Sequence, residues 1–163
     1  MTKARPHLAL DIAVECEKWS AVPDTEGTIR RAIEAAEAIE SETGEIAVVL
    51  TDDAAIRALN ARWRGIDTPT NVLSFPAGEM ALNGENIHLG DIAIAYETVA
   101  REAEAENKAF LDHLAHLAIH GYLHLLGFDH KTDGEAEQME GLETRILSGL
   151  GIANPYALQN SGD

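Results

Sequence analysis

The chain has 163 residues, of which 45% are hydrophobic and 25% are charged, and its formal net charge is −16. This composition is typical of a globular domain, and no stretch approaches the roughly 20 apolar residues that would span a membrane. The acidic balance argues against a nucleic-acid partner, because such affinity depends on lysine and arginine neutralising phosphates. The local field can still be positive at Arg57, Arg62 and Arg64, since residues 54–66 contain no acidic residue.

The N-terminal pattern and the cysteine content predict a cytoplasmic protein. The first residues run straight into an alternating pattern, without the unbroken apolar core and small-residue cleavage site of a signal peptide. Cys16 is the only cysteine, so an internal disulfide is impossible, which suits a reducing compartment. Because Cys16 is in phase with the apolar residues before it, the pattern predicts a buried strand position rather than a reactive nucleophile.

Two strands and two helices are predicted in the first half of the chain. Residues 7–17 alternate between apolar and polar, which is the period of a strand with one buried face. Residues 25–41 have helical spacing with glutamates outside, and Gly44 follows them. Residues 46–50 are apolar and predict a short buried strand. Asp52 can then cap a helix whose apolar side carries Ile56, Leu59 and Trp63.

The second half predicts two more strands and a strongly apolar helix. Residues 72–75 and 89–96 have strand character, and the Asn83-Gly84 turn signal between them predicts an antiparallel return. A helical region starts near Glu97 and becomes apolar on nearly every side over residues 110–126, as expected of a central buried helix.

The C-terminal part predicts a last helix and a tail. Residues 132–135 have the form of a capping box and open a helix that carries Met139, Leu142 and Ile146 at core spacing. Gly149 and Gly151 end that helix. We expect a single domain over residues 1–153 and a loosely ordered tail over residues 154–163.

Three histidines near the end of the apolar helix predict a metal site. His120 and His124 are four residues apart, so their side chains project from one helical face one turn apart. Gly127 can adopt a left-handed conformation that ends the helix and brings His130 back as a third ligand. Three protein ligands leave one position of a tetrahedral ion open, which is typical of a catalytic rather than a structural zinc site.

The spacing of these histidines equals that of the metzincin peptidases, but the residues between them differ. In that pattern a general-base glutamate follows the first histidine, whereas Gly121 stands here and has no side chain. A peptidase is therefore disfavoured, and any proton acceptor must come from elsewhere, such as His116 or the metal hydroxide. A structural hydrogen bond is nevertheless the favoured interpretation of His116. Asp129 can either orient a ligand imidazole or bind backbone amides in its turn.

These segments closely resemble the bacterial YbeY family of endoribonucleases. The matching segments are residues 59–64, 67–76, 89–92 and 120–130 (H-G-Y-L-H-L-L-G-F-D-H), followed by residues 135–137 and 154–156. The resemblance covers nearly the whole chain, with Trp63 standing where the family usually has tyrosine. It implies an α+β fold, with a mixed four-stranded sheet, about five helices and a central metal-binding helix. It also implies one zinc ion per chain on His120, His124 and His130.

The same resemblance implies a function on RNA. The family cleaves single-stranded RNA in 16S rRNA 3′-end maturation and in 70S ribosome quality control. The implied partners are ribosomal RNA, the ribosome or its small subunit with its proteins, and a ribosome-assembly GTPase. Arg64 matches the arginine thought to act on the substrate phosphate, although on its own it would be interpreted as a helix-end residue closing on nearby carbonyls.

Several functional alternatives stay open at this point. The attacking group could be a water or hydroxide on the metal, or the RNA's own 2′-hydroxyl. A non-catalytic ribosome-assembly factor with a structural zinc is the nearest different class of protein, and the open fourth coordination position argues against it. A metallohydrolase of another ester or amide is a third class, which the absent glutamate and the basic patch disfavour.

Overall fold

Residues 8–77 and 88–156 are the part of the chain that the computed structural model describes. The elements, in chain order, are β1 (Leu8–Val14), a 3-10 turn (Glu17–Ala21), α1 (Thr25–Ile39), β2 (Gly44–Thr51), α2 (Asp53–Arg64), β3 (Val72–Pro76), β4 (His88–Ala95), α3 (Tyr96–Ala105), α4 (Phe110–Leu125) and α5 (Asp133–Gly149). None of the helices within these ranges is both long and apolar enough to cross a membrane.

The four strands form one mixed sheet in the order β1-β2-β4-β3. Strands β1, β2 and β4 are parallel, and β3 runs antiparallel to β4. Five helices surround this sheet, which confirms the expected α+β fold with a mixed four-stranded sheet. The antiparallel return between β3 and β4 is confirmed as well, while the Asn83-Gly84 turn signal lies outside the described residues.

Two helices begin at the predicted capping residues. The Asp52 side chain accepts a hydrogen bond of 2.9 Å from the backbone N–H of Ala55 and so satisfies a free donor at the start of α2. Thr132 and Glu135 form a complete capping box at the start of α5. Each cap fixes the residue at which its helix begins.

Helix α4 lies at the centre of the main hydrophobic core. It packs against β3 and β4, with α1 and α5 packed against it in the same core, and most of its surface is buried. Each fully buried leucine or isoleucine stabilises the fold by roughly 1.5–3 kcal/mol relative to an exposed one. The prediction of a central buried helix is therefore confirmed. Because α4 is packed on several sides, the backbone that carries the side chains at its C-terminal end is held in place.

Helix α2 covers the other face of the sheet beside β3 and β4. Ile56 is fully buried there in a second cluster with Leu73, Ala93 and Ala95, and Leu59 packs against that cluster. The sequence also places Trp63 on this side of α2, but Trp63 does not belong to the buried cluster. Trp63 lies on the last turn, beyond the cluster, and its side chain is 60% exposed.

The first strand is shorter than its alternating pattern predicts. It ends at Val14, so Cys16 lies beyond the strand and is only half-buried. The chain turns there because Trp19 of the 3-10 turn is buried, and its indole N–H donates to the Thr51 carbonyl over 2.9 Å. A tertiary contact of this kind overrides the local period.

The helical region that begins near Glu97 consists of two helices. Helices α3 and α4 are separated by a turn in which Asn107 adopts a left-handed conformation with φ of 57°. Asparagine tolerates this conformation better than most residues, which places the break at that position.

Residues 154–156, which belong to the expected tail, make hydrogen bonds with α5 and with one another. Asn154 accepts a hydrogen bond of 3.2 Å from the Thr144 hydroxyl on α5 and another of 2.8 Å from the Tyr156 backbone N–H. Residues 157–163 of the expected tail lie outside the described residues.

Candidate metal centre

The three predicted histidines come together at the C-terminal end of α4. The Nε2 atoms of His120 and His124 lie 3.1 Å apart, and one ligand atom from each of the three imidazoles lies within 4.8 Å of the others. Two nitrogens bound to one tetrahedral zinc ion are expected about 3.3 Å apart, given bonds of about 2.05 Å. The donor set and its spacing therefore fit a single zinc-type ion.

Gly127 supplies the reversal that brings His130 to the other two imidazoles. Its φ is 103°, a conformation that residues with a Cβ rarely adopt. Phe128 donates its backbone N–H to the Leu123 carbonyl over 3.1 Å, which closes the end of the helix. The predicted left-handed helix end is confirmed. His120 and His124 are half-buried, whereas His130 is exposed.

Asp129 binds the backbone of its own turn. Its carboxylate accepts a hydrogen bond of 2.8 Å from the His130 backbone N–H, and this bond lowers the pKa of Asp129. Of the two alternatives for Asp129, the structure shows backbone binding. It acts on His130 by shaping the loop.

The surroundings of His124 favour a neutral imidazole. Burial lowers the pKa of His124, and the charges of His120 and His130 lower it further. Each effect disfavours the imidazolium ion. A neutral imidazole has a free lone pair on nitrogen and is therefore ready to bind an ion.

Glu143, which sequence reasoning missed, lies directly behind His120. Its Oε2 atom is 2.5 Å from His120 Nδ1, and its Oε1 atom is 3.0 Å from His116 Nε2. Burial alone would raise the pKa of Glu143, but the hydrogen bonds with His116 and His120 outweigh it and lower the pKa to about 2. A carboxylate does therefore neighbour the site, on the Nδ1 side of His120. It is fully buried and so does not face the cleft.

A signal for Glu143 is present in the sequence of the last helix. Met139, Glu143 and Ile146 are spaced by four and three residues, so an acidic side chain lies on the apolar stripe of α5. A carboxylate is almost never fully buried without a partner. That position alone predicts a partner elsewhere in the fold.

The other two histidines of the α4 stripe point to carboxylates instead of joining the group of three. His116 contacts Glu143 and also the Tyr156 hydroxyl at 3.3 Å, and His113 Nε2 lies 2.8 Å from Glu102 Oε1. The structural hydrogen bond favoured for His116 is thus present. The histidines of α4 therefore fall into two groups. His120 and His124 join His130, whereas His113 and His116 contact carboxylates.

Arg64 lies across the cleft from the histidines. It is the last residue of α2, and its Nη2 atom donates to the Ser74 carbonyl over 2.6 Å. The cleft has a volume of about 560 Å³, and its lining includes Arg64 together with all three histidines. Arg64 therefore does close on a carbonyl, but on one from β3, and this contact holds its charge beside the candidate metal centre.

Arg64 and Arg57 differ in how their charge is neutralised. Arg57, two turns earlier on α2, forms an ion pair of 2.9 Å with Asp67. Among the residues that the structure describes, Arg64 has no such carboxylate partner. Within that part of the chain, no carboxylate neutralises the Arg64 guanidinium at the edge of the cleft.

Gly121 marks the closest approach of α4 to the sheet. A Cβ atom at this position would lie 3.0 Å from Ile92 Cγ2 and 3.2 Å from the Ser74 hydroxyl oxygen. The Ser74 hydroxyl also donates to the Gly121 carbonyl over 3.1 Å. Position 121 therefore faces the strands, and it brings no side chain to the cleft.

Comparison with known proteins identifies the family. A family model described as Endoribonuclease YbeY matches residues 12–151. A relative of that name from Bradyrhizobium diazoefficiens is 53% identical over 164 residues, covering 96% of this chain and 90% of its own length. A second, from Bradyrhizobium sp. BTAi1, is 56% identical over 159 residues and covers 93% of each chain.

A solved structure has the same overall fold. The solution structure of TM1509 from Thermotoga maritima superposes with a TM-score of 0.60 at 25% sequence identity, covering 93% of this chain and 92% of that one. The family model and the two relatives each extend over nearly the whole length described above. The chain belongs to the endoribonuclease YbeY family.

Proposed function

We propose that this chain is a zinc-dependent endoribonuclease that cleaves single-stranded ribosomal RNA. Family membership supports endoribonuclease activity, and one observation from the structure carries the assignment to this site. Three imidazoles that can hold one ion lie in the same cleft as Arg64, which has no carboxylate partner among the residues described. An ion held by the imidazoles, together with the Arg64 guanidinium, would place positive charge on two sides of a phosphodiester bound in the cleft.

His120, His124 and His130 are the proposed ligands of the ion. A zinc ion held there would supply Lewis acidity to the phosphate and lower the pKa of a water molecule. Imidazole also binds nickel, copper and iron, so the preference for zinc rests on the donor set, which is three imidazoles with a fourth position left open. Glu143 fixes one of these ligands from behind, which is the arrangement usual around metal-binding histidines.

Arg64 is the proposed phosphate-binding residue. Its guanidinium has donors beyond the one used by the Ser74 carbonyl, and these can bind the non-bridging oxygens of the scissile phosphate. The charge that develops on those oxygens in the transition state then meets a fixed donor. Arg64 holds the phosphate in place and offsets its charge, and it transfers no proton.

The nucleophile is either a water molecule or the 2′-hydroxyl of the RNA. The two routes leave different ends, which can be identified on the cleaved RNA by mass spectrometry. A 2′,3′-cyclic phosphate would rule out direct attack by water as the cleaving step, whereas its absence throughout the time course would favour water.

The proposed substrate is the 3′ end of 16S rRNA, with a further role in 70S ribosome quality control in the cytoplasm. The net charge of −16 disfavours tight binding of free RNA by the isolated protein. The ribosome or its small subunit, its proteins and a ribosome-assembly GTPase are therefore the proposed partners that present the RNA. Binding of free RNA should be weak and strongly salt-dependent.

A cleavage assay on ribosomal RNA with metal-loaded and metal-free protein tests this function. We expect cleavage by the loaded protein alone, at single-stranded positions, and no cleavage of duplex RNA. Cleavage by a contaminating ribonuclease would not depend on whether the protein is loaded with metal. If metal-free protein stayed folded and bound ribosomal particles while no preparation cleaved RNA, the chain would instead be a non-catalytic assembly factor.

A further inference from the structure

Glu143 is a buried carboxylate, and polar partners surround it. Its side chain has no exposed surface, and burying such a charge is unfavourable unless it is paired and hydrogen-bonded. Oε2 contacts His120 Nδ1, while Oε1 contacts His116 Nε2 and accepts a hydrogen bond from the Tyr156 hydroxyl. Both oxygens are thus satisfied, and α4 and the C-terminal segment both reach this one side chain of α5.

The contact with His120 determines which nitrogen of that imidazole can bind a metal. A nitrogen that faces a carboxylate carries a proton, so Nδ1 of His120 is the donor and Nε2 keeps its lone pair. That Nε2 atom is the one that lies 3.1 Å from His124 Nε2. Glu143 therefore selects the tautomer and also fixes the ring orientation that the group of three histidines needs.

The position of Glu143 is itself held from two directions. On α5 it lies among the buried residues Met139, Ile146 and Leu147, so the helix cannot rotate without exposing apolar surface. From the C-terminal side, Tyr156 reaches it because Asn154 ties that segment to Thr144, the residue next to Glu143. A segment 13 residues further along the chain thus reaches the carboxylate behind a proposed metal ligand.

We propose that Glu143 is the positioning residue of His120, and that Tyr156 holds Glu143 in place so that the C-terminal segment contributes to metal retention. This inference rests on the proposed metal site but not on the RNA substrate. It predicts that zinc affinity depends on residues that never touch the ion.

Zinc affinity is measured by competition with a chromophoric chelator, which requires no nuclease activity. Glu143→Gln keeps the shape of the side chain and removes its charge, and we expect zinc affinity to fall about 10- to 100-fold. The matched control is Glu102→Gln, because Glu102 bonds His113 on the same helix at 2.8 Å without contacting a proposed ligand. That variant should bind zinc as the parent does.

Tyr156→Phe tests the contribution of the C-terminal segment. It removes a single hydroxyl and leaves the carboxylate present, so we expect a zinc affinity between those of the parent and Glu143→Gln. Parental affinity in Tyr156→Phe would overturn the role of that segment. This variant also keeps the proposal testable if Glu143→Gln fails to fold, which thermal unfolding followed by circular dichroism will reveal.

A spectroscopic measurement on the zinc-loaded parent tests the tautomer directly. Long-range ¹⁵N–¹H NMR spectra should show the proton of His120 on Nδ1 and the metal on Nε2. Metal on Nδ1, or parental zinc affinity in a folded Glu143→Gln protein, would overturn the role of Glu143. If such a result came with normal RNA cleavage by the parent, the proposed function would stand. If the parent bound zinc tightly but cleaved no RNA, the proposed function would be wrong, and the role of Glu143 in zinc binding would stand.

Discussion

The two walls of the cleft differ in where their positive charge comes from. The histidine wall consists of His120, His124 and His130, and the arginine wall consists of Arg64 and Ser74. A guanidinium is charged at every physiological pH, whereas a neutral imidazole brings no charge until it binds a proton or a metal ion. Variants of the histidine wall should therefore lose the ion, whereas variants of the arginine wall should lose only the contact with the phosphate.

Ser74 connects the two walls. Its carbonyl accepts the hydrogen bond from Arg64, and its hydroxyl donates to the carbonyl of Gly121 on α4. The distance between the arginine and the histidines is therefore set by β3, a strand of the sheet. The walls share a rigid support although they carry different chemistry.

His124→Ala should have the largest effect of the variants considered. It removes one of three proposed ligands, and two imidazoles hold an ion far more weakly, so both metal content and cleavage should fall to the level of metal-free protein. Elemental analysis and a gel-based cleavage assay on one preparation measure the two quantities. His113→Gln is the control on the same helix, and it should keep its metal. Retention of full metal content by His124→Ala would contradict the proposed ligand set.

Arg64→Ala should affect cleavage alone. Loss of a donor that meets developing charge costs about 10²- to 10³-fold in rate, so we expect that reduction with the zinc content unchanged. Single-turnover cleavage of a single-stranded RNA and elemental analysis provide the measurements. Arg57→Ala removes the same side chain two turns away, where Asp67 neutralises it, and should cleave at the parental rate. Equal rates for Arg64→Ala and the parent would refute the role of Arg64.

Gly121→Ala tests the close packing of α4 against Ser74 and Ile92 of the sheet, and it should have the smallest effect of the three variants. The added Cβ would lie 3.0 Å from Ile92 Cγ2, so we expect a loss of about 1–3 kcal/mol in the free energy of unfolding from overpacking. Urea unfolding measures it.

Gly141→Ala on α5 is the control, since nothing lies within 4 Å of its added Cβ. There the helix should gain about 0.5–1 kcal/mol. If both alanines stabilised the protein, the close approach of α4 to the sheet would be wrong.

The fold was largely predictable because its elements follow local rules. The one-face period of α1, the caps at Asp52 and Thr132 and the apolar surface of α4 each involve residues close in sequence. The sequence-based predictions differ from the structure where contacts between residues distant in the chain determine the local structure. Cys16 leaves its strand because Trp19 is drawn to the Thr51 carbonyl. Trp63 lies outside the second cluster and is 60% exposed, although its spacing places it with Ile56 and Leu59.

The candidate site was predictable to different degrees on its two walls. Two imidazoles spaced by one helical turn and a glycine at the helix end define the histidine group from sequence alone. Spacing gave no reason to place Arg64 opposite them, since that depends on how α2 crosses β3. Glu143 was missed because it contacts His120 from 23 residues away. Only its place on an apolar stripe pointed to a buried partner.

Titration of zinc into the metal-free protein, with the rate of single-stranded RNA cleavage as the readout, tests the central claim most directly. If the three histidines form one catalytic metal centre, the rate should rise in proportion to added zinc and level off at about one equivalent per chain. Cleavage by the metal-free protein at the full rate, unchanged by zinc, would contradict the account.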